Sequence, residues 1–150
     1  MTVAPKPPLS LSKTQALPYL IFNGRCEEAV EFYRKAVGAE VQMLMRYKDA
    51  PIQAGQPGCP PALGDKVIHV RLQIGETIVL ASDDPTGQER SFQGFSLALI
   101  VPNEAEADRQ FNALAEGGRI AMPLAKTFFS PRFGQVVDRF GVSWMVLVNQ

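Results

Sequence analysis

Residues 18–41 read PYLIFNGRCEEAVEFYRKAVGAEV, and the order of residue types in this stretch decides the fold. Positions 17–22 form a short apolar run that ends at the turn pair Asn23-Gly24, the pattern of a brief buried strand. From Arg25 onward Cys26, Ala29, Val30, Tyr33, Ala36 and Val37 recur at the spacing of one helix face, and Gly38 supplies the stop. Positions 39–47 (AEVQMLMRY) then read as a second strand.

Working outward, the chain continues through KDAPIQAGQPGCPPALGD (48–65), too rich in Pro and Gly for regular structure and longer than an ordinary connection. It is a candidate flap. KVIHVRLQI and ETIVLAS follow as two strands about Gly75. The second half repeats the order. SLALIV (96–101) is a strand, and Asn103 is a candidate N-cap with Glu106 at the capping-box position. Ala107, Phe111, Leu114 and Ala115 make the buried stripe, and Gly117-Gly118 ends the helix. RIAMPLA, GQVVDRF and VSWMVLV complete the set, the last two about Gly141.

Spacing tests this repeat. Pro18 to Ser96 and Tyr33 to Phe111 are both 78 positions, whereas Gly75 to Gly141 and Val79 to Met145 are both 66. The only loss of length falls between the first helix and the third strand, where the Pro/Gly loop lies. The expected fold is α+β: two tandem β-α-β-β-β modules, about 17–84 and 94–149, after a loosely docked or disordered tail over 1–16.

Composition narrows the function. Lys plus Arg equals Asp plus Glu at 15 each, so no net field draws the chain to nucleic acid or an anionic membrane. No run of apolar residues is long enough for a membrane span or a signal peptide, which makes the cytoplasm the expected compartment. Cys26 and Cys59 stand in unlike contexts without a CxxC pair, so neither a disulfide framework nor a structural zinc site is expected.

PYLIFNGRCEEAVEFYRKAVGAEV, HVRLQIGETIVLASD and MPLAKTFFSPRFGQVVDRFGVSWMV, set in this repeat, resemble the PhnB-like family of the vicinal oxygen chelate superfamily. That superfamily includes glyoxalase I, bleomycin-resistance proteins and extradiol dioxygenases, and PhnB-like members often carry a demethylubiquinone methyltransferase label. The resemblance covers roughly residues 17 to 148. It implies a curved, mostly antiparallel sheet around a cleft that holds the functional site, and a homodimer. In the metal-dependent branches it also implies His or Glu ligands on the first and last strands of each module.

Registered by Phe32-Tyr33 and by the turn at Asp138–Gly141, those four places fall at Pro18, Val79, Ser96 and Met145. None carries an imidazole or carboxylate, so no metal site is expected, and a divalent metal remains the alternative. The lone histidine, His69, has three readings: a metal ligand, a hydrogen-bonded residue of a half-buried sheet, or a general base in the cleft. S-adenosylmethionine would call for a Gly-rich strand–helix turn, and the turns here are NG and PN, so methyl transfer is not expected.

Other residues carry paired readings. Cys26, in the first helical turn, is either a reactive thiol or a small buried hydrophobe. Arg71 and Gln73 share the face of His69 by strand alternation, as a cleft lining or as a wet sheet face. In KTFFSPRFG, Phe128, Phe129 and Phe133 either border a cleft mouth or plug the sheet, with Arg132 or Lys126 available to an anion. Tyr47, Trp144 and Met145 complete the candidate ligand-binding set. The favoured reading is a binding protein for a small, partly apolar ligand with a charged handle. The alternative is an enzyme, either a metal-dependent lyase, isomerase or dioxygenase of glyoxalase type or an acid–base catalyst centred on His69.

Overall fold

The computed structural model describes residues 13–50 and 63–149. Of the expected tail, 1–12 lie outside the described residues, and 13–16 are exposed and belong to no helix or strand. Cys59 and most of the expected flap, 51–62, also lie outside them.

The first module runs β1 (Tyr19–Phe22), α1 (Cys26–Val37), β2 (Glu40–Arg46), a single 3-10 turn (Tyr47–Asp49), β3 (Val67–Ile74) and β4 (Thr77–Asp83). The second runs β5 (Leu97–Val101), α2 (Glu104–Ala115), β6 (Arg119–Ala125), β7 (Phe133–Val137) and β8 (Ser143–Val148). Both fold into a four-stranded sheet of the same order, β1-β4-β3-β2 and β5-β8-β7-β6. In each, the first strand lies parallel to the last and the remaining pairs are antiparallel. The repeat in the sequence is a repeat in space.

Local chemistry sets the helix ends. Gly38 takes φ 68, a left-handed turn that lets Ala39 N–H reach Tyr33 O and close α1. At α2, Asn103 Oδ1 accepts from Glu106 N–H at 2.8 Å, as a cap should. Only half of the capping box forms, because the Glu106 carboxylate turns to Arg109 and Gln110 instead.

Each helix covers one face of its own sheet, and the two helices also pack on each other, so a single core runs through both modules. Cys26, Ala29, Val30, Tyr33, Ala36 and Val37 are all buried on α1, as the spacing predicts. Two buried carboxylates stitch the layers. Asp83 accepts from Cys26 N–H (2.9 Å) and Val67 N–H (3.0 Å), which fixes the start of α1 against β3. Asp138 accepts from Phe140 and Val142 N–H, from Tyr33 Oη and from Trp144 Nε1.

The face of each sheet turned away from its helix is open. Tyr19, Ile21, Met43 and Met45 on the first, and Ile100 and Met122 on the second, are large apolar residues left exposed. Burying such a side chain is worth roughly 1.5–3 kcal/mol. These faces are therefore where the sequence spends stability, and where function is to be sought.

Candidate functional site

Strand register assembles the site on the first sheet. Tyr19 lies beside Leu80, Leu80 beside Arg71, and Arg71 beside Met43, so four side chains cross the open face in one row. One step along, Met45 lies beside His69, and Tyr19 Oη meets His69 Nδ1 at 3.2 Å. Alternation in β3 buries Val70 and Leu72 against the helix side and leaves His69, Arg71 and Gln73 on the open side.

Polar contacts organise this face. Arg71 Nε donates to Gln42 Oε1 (2.9 Å), Gln42 Nε2 donates to Gln73 Oε1 (2.6 Å), and Gln73 Nε2 donates to the Gly75 carbonyl (3.0 Å). Gln42 reaches this position because the β2–β3 pairing slips between Val41 and Met43, a bulge that turns an extra side chain toward the face. Among the described residues, every other arginine except Arg119 reaches a carboxylate, a backbone carbonyl or an aromatic ring, whereas Arg71 meets only an amide.

The second sheet builds a matching row, Ala98, Met145, Gln135 and Met122, with the same bulge between Ile120 and Met122. Beside it lies a cavity of about 890 Å³ lined among others by Phe92, Phe95, Arg119, Gln135, Ser143 and Met145. Ser96 and Ser143 share a hydroxyl hydrogen bond of 2.6 Å at its edge.

The matching rows correct the sequence register. Met145 corresponds to Leu80, not to Val79: Val79 is buried on the helix side of its sheet, while Met145 is half-buried on the open side of its own. The one-residue offset arises in the hairpins, since Ile74 pairs with Thr77 across two residues but Val137 pairs with Ser143 across five. Pro18, Val79 and Ser96 line a separate apolar cavity of about 250 Å³ with Trp144.

Neither register fits a metal. The matched set Tyr19, Leu80, Ala98 and Met145 offers one phenol and one thioether, and among the described residues no three His, Cys, Asp or Glu come together. Gly24, in the turn between β1 and α1, has φ 87, a left-handed backbone that favours glycine there.

The other sequence candidates are dispersed. Tyr47 Oη donates to the Asp83 carbonyl. Arg132 is held by Asp108 of α2, on the helix side. Trp144 is core, 2% exposed, with its indole on Asp138. Phe128 is 94% exposed at the loop tip and stacks edge-on with Phe129, which in turn meets Phe133. Cys26 is buried, and loss of hydration together with the nearby Asp83 and Glu27 pushes its thiol well up, the opposite of activation. Sequence reasoning missed Gln42 and Tyr19. The first depends on a bulge, and the second on which face of a four-residue strand points outward.

With this geometry in place, relatives become informative. A family model described as 3-demethylubiquinone-9 3-methyltransferase matches residues 14–147. The chain belongs to that family. Protein YjdN of Escherichia coli is 32% identical over 136 residues, covering 87% of this chain and 92% of YjdN. Protein PA1353 from Pseudomonas aeruginosa shares 42% identity with a TM-score of 0.79, over 92% of this chain and 99% of its own. A PhnB protein from Bacillus cereus shares 28% identity with a TM-score of 0.73, over 90% and 99% of the two chains. The PhnB-like resemblance is thus confirmed, and the fold is that of the vicinal oxygen chelate superfamily. A fosfomycin resistance protein, FosX from Mesorhizobium loti, shows that fold at 12% identity and a TM-score of 0.58, over 91% of this chain and 92% of its own.

Proposed function

We propose that this PhnB-like protein binds a small, partly apolar organic ligand on the open face of its first sheet, without a catalytic metal. The observation that carries the reading is the row Tyr19, Leu80, Arg71 and Met43: apolar side chains kept in water around one cation that has no carboxylate partner among the described residues. Flat rings pack well on methionine and tyrosine side chains, which favours an aromatic or otherwise flat body.

A second copy of the chain completes the proposal. A homodimer in which open faces cover one another would enclose the ligand and take Ile21, Ile100 and Met122 out of water. The proposed compartment is the cytoplasm, which suits a chain whose Cys26 is a free buried thiol. Among the described residues no helix is long and apolar enough to cross a membrane.

The test is a fluorescence titration with N-phenyl-1-naphthylamine, a neutral flat probe, joined to sedimentation velocity. Saturable binding, at least tenfold weaker in Met43→Asp with the fold intact, supports the reading, as does a dimer. Absence of saturable binding overturns it.

One observation favours a second reading. The Tyr19–His69 hydrogen bond fixes one imidazole nitrogen and leaves the other on the open face, an arrangement that suits acid–base catalysis. Under the binding reading, His69→Ala leaves probe affinity within about twofold. A turnover that His69→Ala abolishes with binding intact would replace it by the enzyme reading.

A further inference from the structure

We infer that Arg71 is a pre-oriented receptor for a carboxylate or similar organic oxyanion, and that Gln42 and Gln73 are its positioning residues. The inference rests on the proposed binding face and names the charged part of its ligand.

One backbone atom leaves no choice of donor. The Gly75 carbonyl can only accept, so the Gln73 side chain must present its Nε2 to it. Gln73 Oε1 then faces back along the sheet and requires a donor, which is Gln42 Nε2. That in turn aims Gln42 Oε1 at Arg71, where it accepts from Nε. The chain of amides is polarised from one end, and its outcome is the orientation of a guanidinium.

The Nε edge of Arg71 is thereby occupied, and among the described residues Nη1 and Nη2 make no hydrogen bond. Those two nitrogens form a fork that matches the two oxygens of a carboxylate, a geometry with both charge and direction. An amide is a suitable support because it holds the cation without neutralising it. A glutamate in place of Gln42 would satisfy the same hydrogen bond and cancel the charge.

The second module lacks this device. At the position of its bulge stands Ala121, and Gln135 replaces Arg71 in the matching row. The anion is therefore assigned to the first sheet, beside Met43 and Leu80, which would contact its apolar body.

The experiment uses isothermal titration of the full chain with 1-naphthoate and with 1-naphthamide, which share a body and differ in charge. The expected result is at least tenfold preference for naphthoate in the native chain. That preference is lost in Arg71→Gln, reduced severalfold in Gln42→Leu and lost in Gln42→Glu, through a larger loss of affinity for naphthoate than for naphthamide, and with the thermal midpoint retained. Equal affinity for both probes in the native chain overturns the inference and leaves the binding face standing. A preference that survives Arg71→Gln places the anion elsewhere and overturns it too. If Gln42→Leu and Gln42→Glu keep the full preference, the positioning role is wrong. Binding of neither probe removes both the inference and the face it rests on.

Discussion

Tyr33 Oη donates to Asp138 Oδ2 at 2.7 Å, a buried hydrogen bond that joins the helix of the first module to the closing hairpin of the second. Asp138 is 3% exposed and also receives Trp144 Nε1 and two backbone N–H groups, so one carboxylate anchors the side of the molecule opposite the open faces. The rigid side and the open side follow from the same two-module layout.

Removing that acceptor should be costly. Asp138→Ala would strand four donors, three of them buried, and a loss of roughly 3–5 kcal/mol is expected, since a broken buried charged network costs that much. Tyr33→Phe removes one donor and no charge, and should cost about 1–2 kcal/mol. Urea denaturation of both variants and of their double mutant checks this, with strong non-additivity expected for groups in direct contact.

Alkaline pH should destabilise the fold through two buried acids. Burial, with Asp138 beside it, holds the Tyr33 phenol well above its ordinary value of 10.0, and burial raises the Cys26 thiol above its ordinary 9.0. The folded chain keeps protons that the unfolded chain releases, so the stabilisation is complete below those ordinary values and is lost as pH rises toward the raised ones. Urea midpoints should therefore fall between about pH 8 and about pH 10.5, and fall less in Tyr33→Phe.

The same burial predicts a silent thiol. In a Cys59→Ser background, Cys26 should give no reaction with Ellman's reagent at neutral pH until the protein is unfolded, because it is fully buried and its thiolate is disfavoured. Rapid labelling of native protein would contradict that placement.

Gly118 is held by contact rather than by backbone angle. A Cβ there would lie 2.1 Å from the Val137 carbonyl oxygen, a backbone atom that cannot rotate away. Gly118→Ala should force β6 off β7 and cost about 1–3 kcal/mol, as overpacking does. Gly117, next to it, takes φ 76 and is constrained for a different reason.

Periodicity made most of the fold legible. The six buried positions of α1 and six of the eight strands can be read from residue spacing, because core burial imposes that spacing, whereas β2 and β6 bury no side chain and follow from the repeat, and Gly38 and Asn103 mark helix ends by residue type. The site was legible in half. His69, Arg71 and Gln73 share a face by strand alternation alone. What failed were features that one inserted residue controls: the bulge that brings in Gln42, and the unequal hairpins that put Val79 and Met145 on opposite faces. Arg132 and Trp144 look like cleft residues by composition, but Asp108, 24 residues from Arg132, and Asp138, across the hairpin turn from Trp144, claim their polar groups on the helix side.

The central claim is that the open face holds its ligand without a metal, and metal analysis of protein purified without chelator tests it most directly when joined to probe titration. The account predicts metal well below one ion per chain, and unchanged affinity for N-phenyl-1-naphthylamine after EDTA treatment. One divalent ion per chain, with probe binding that disappears on its removal, would contradict it.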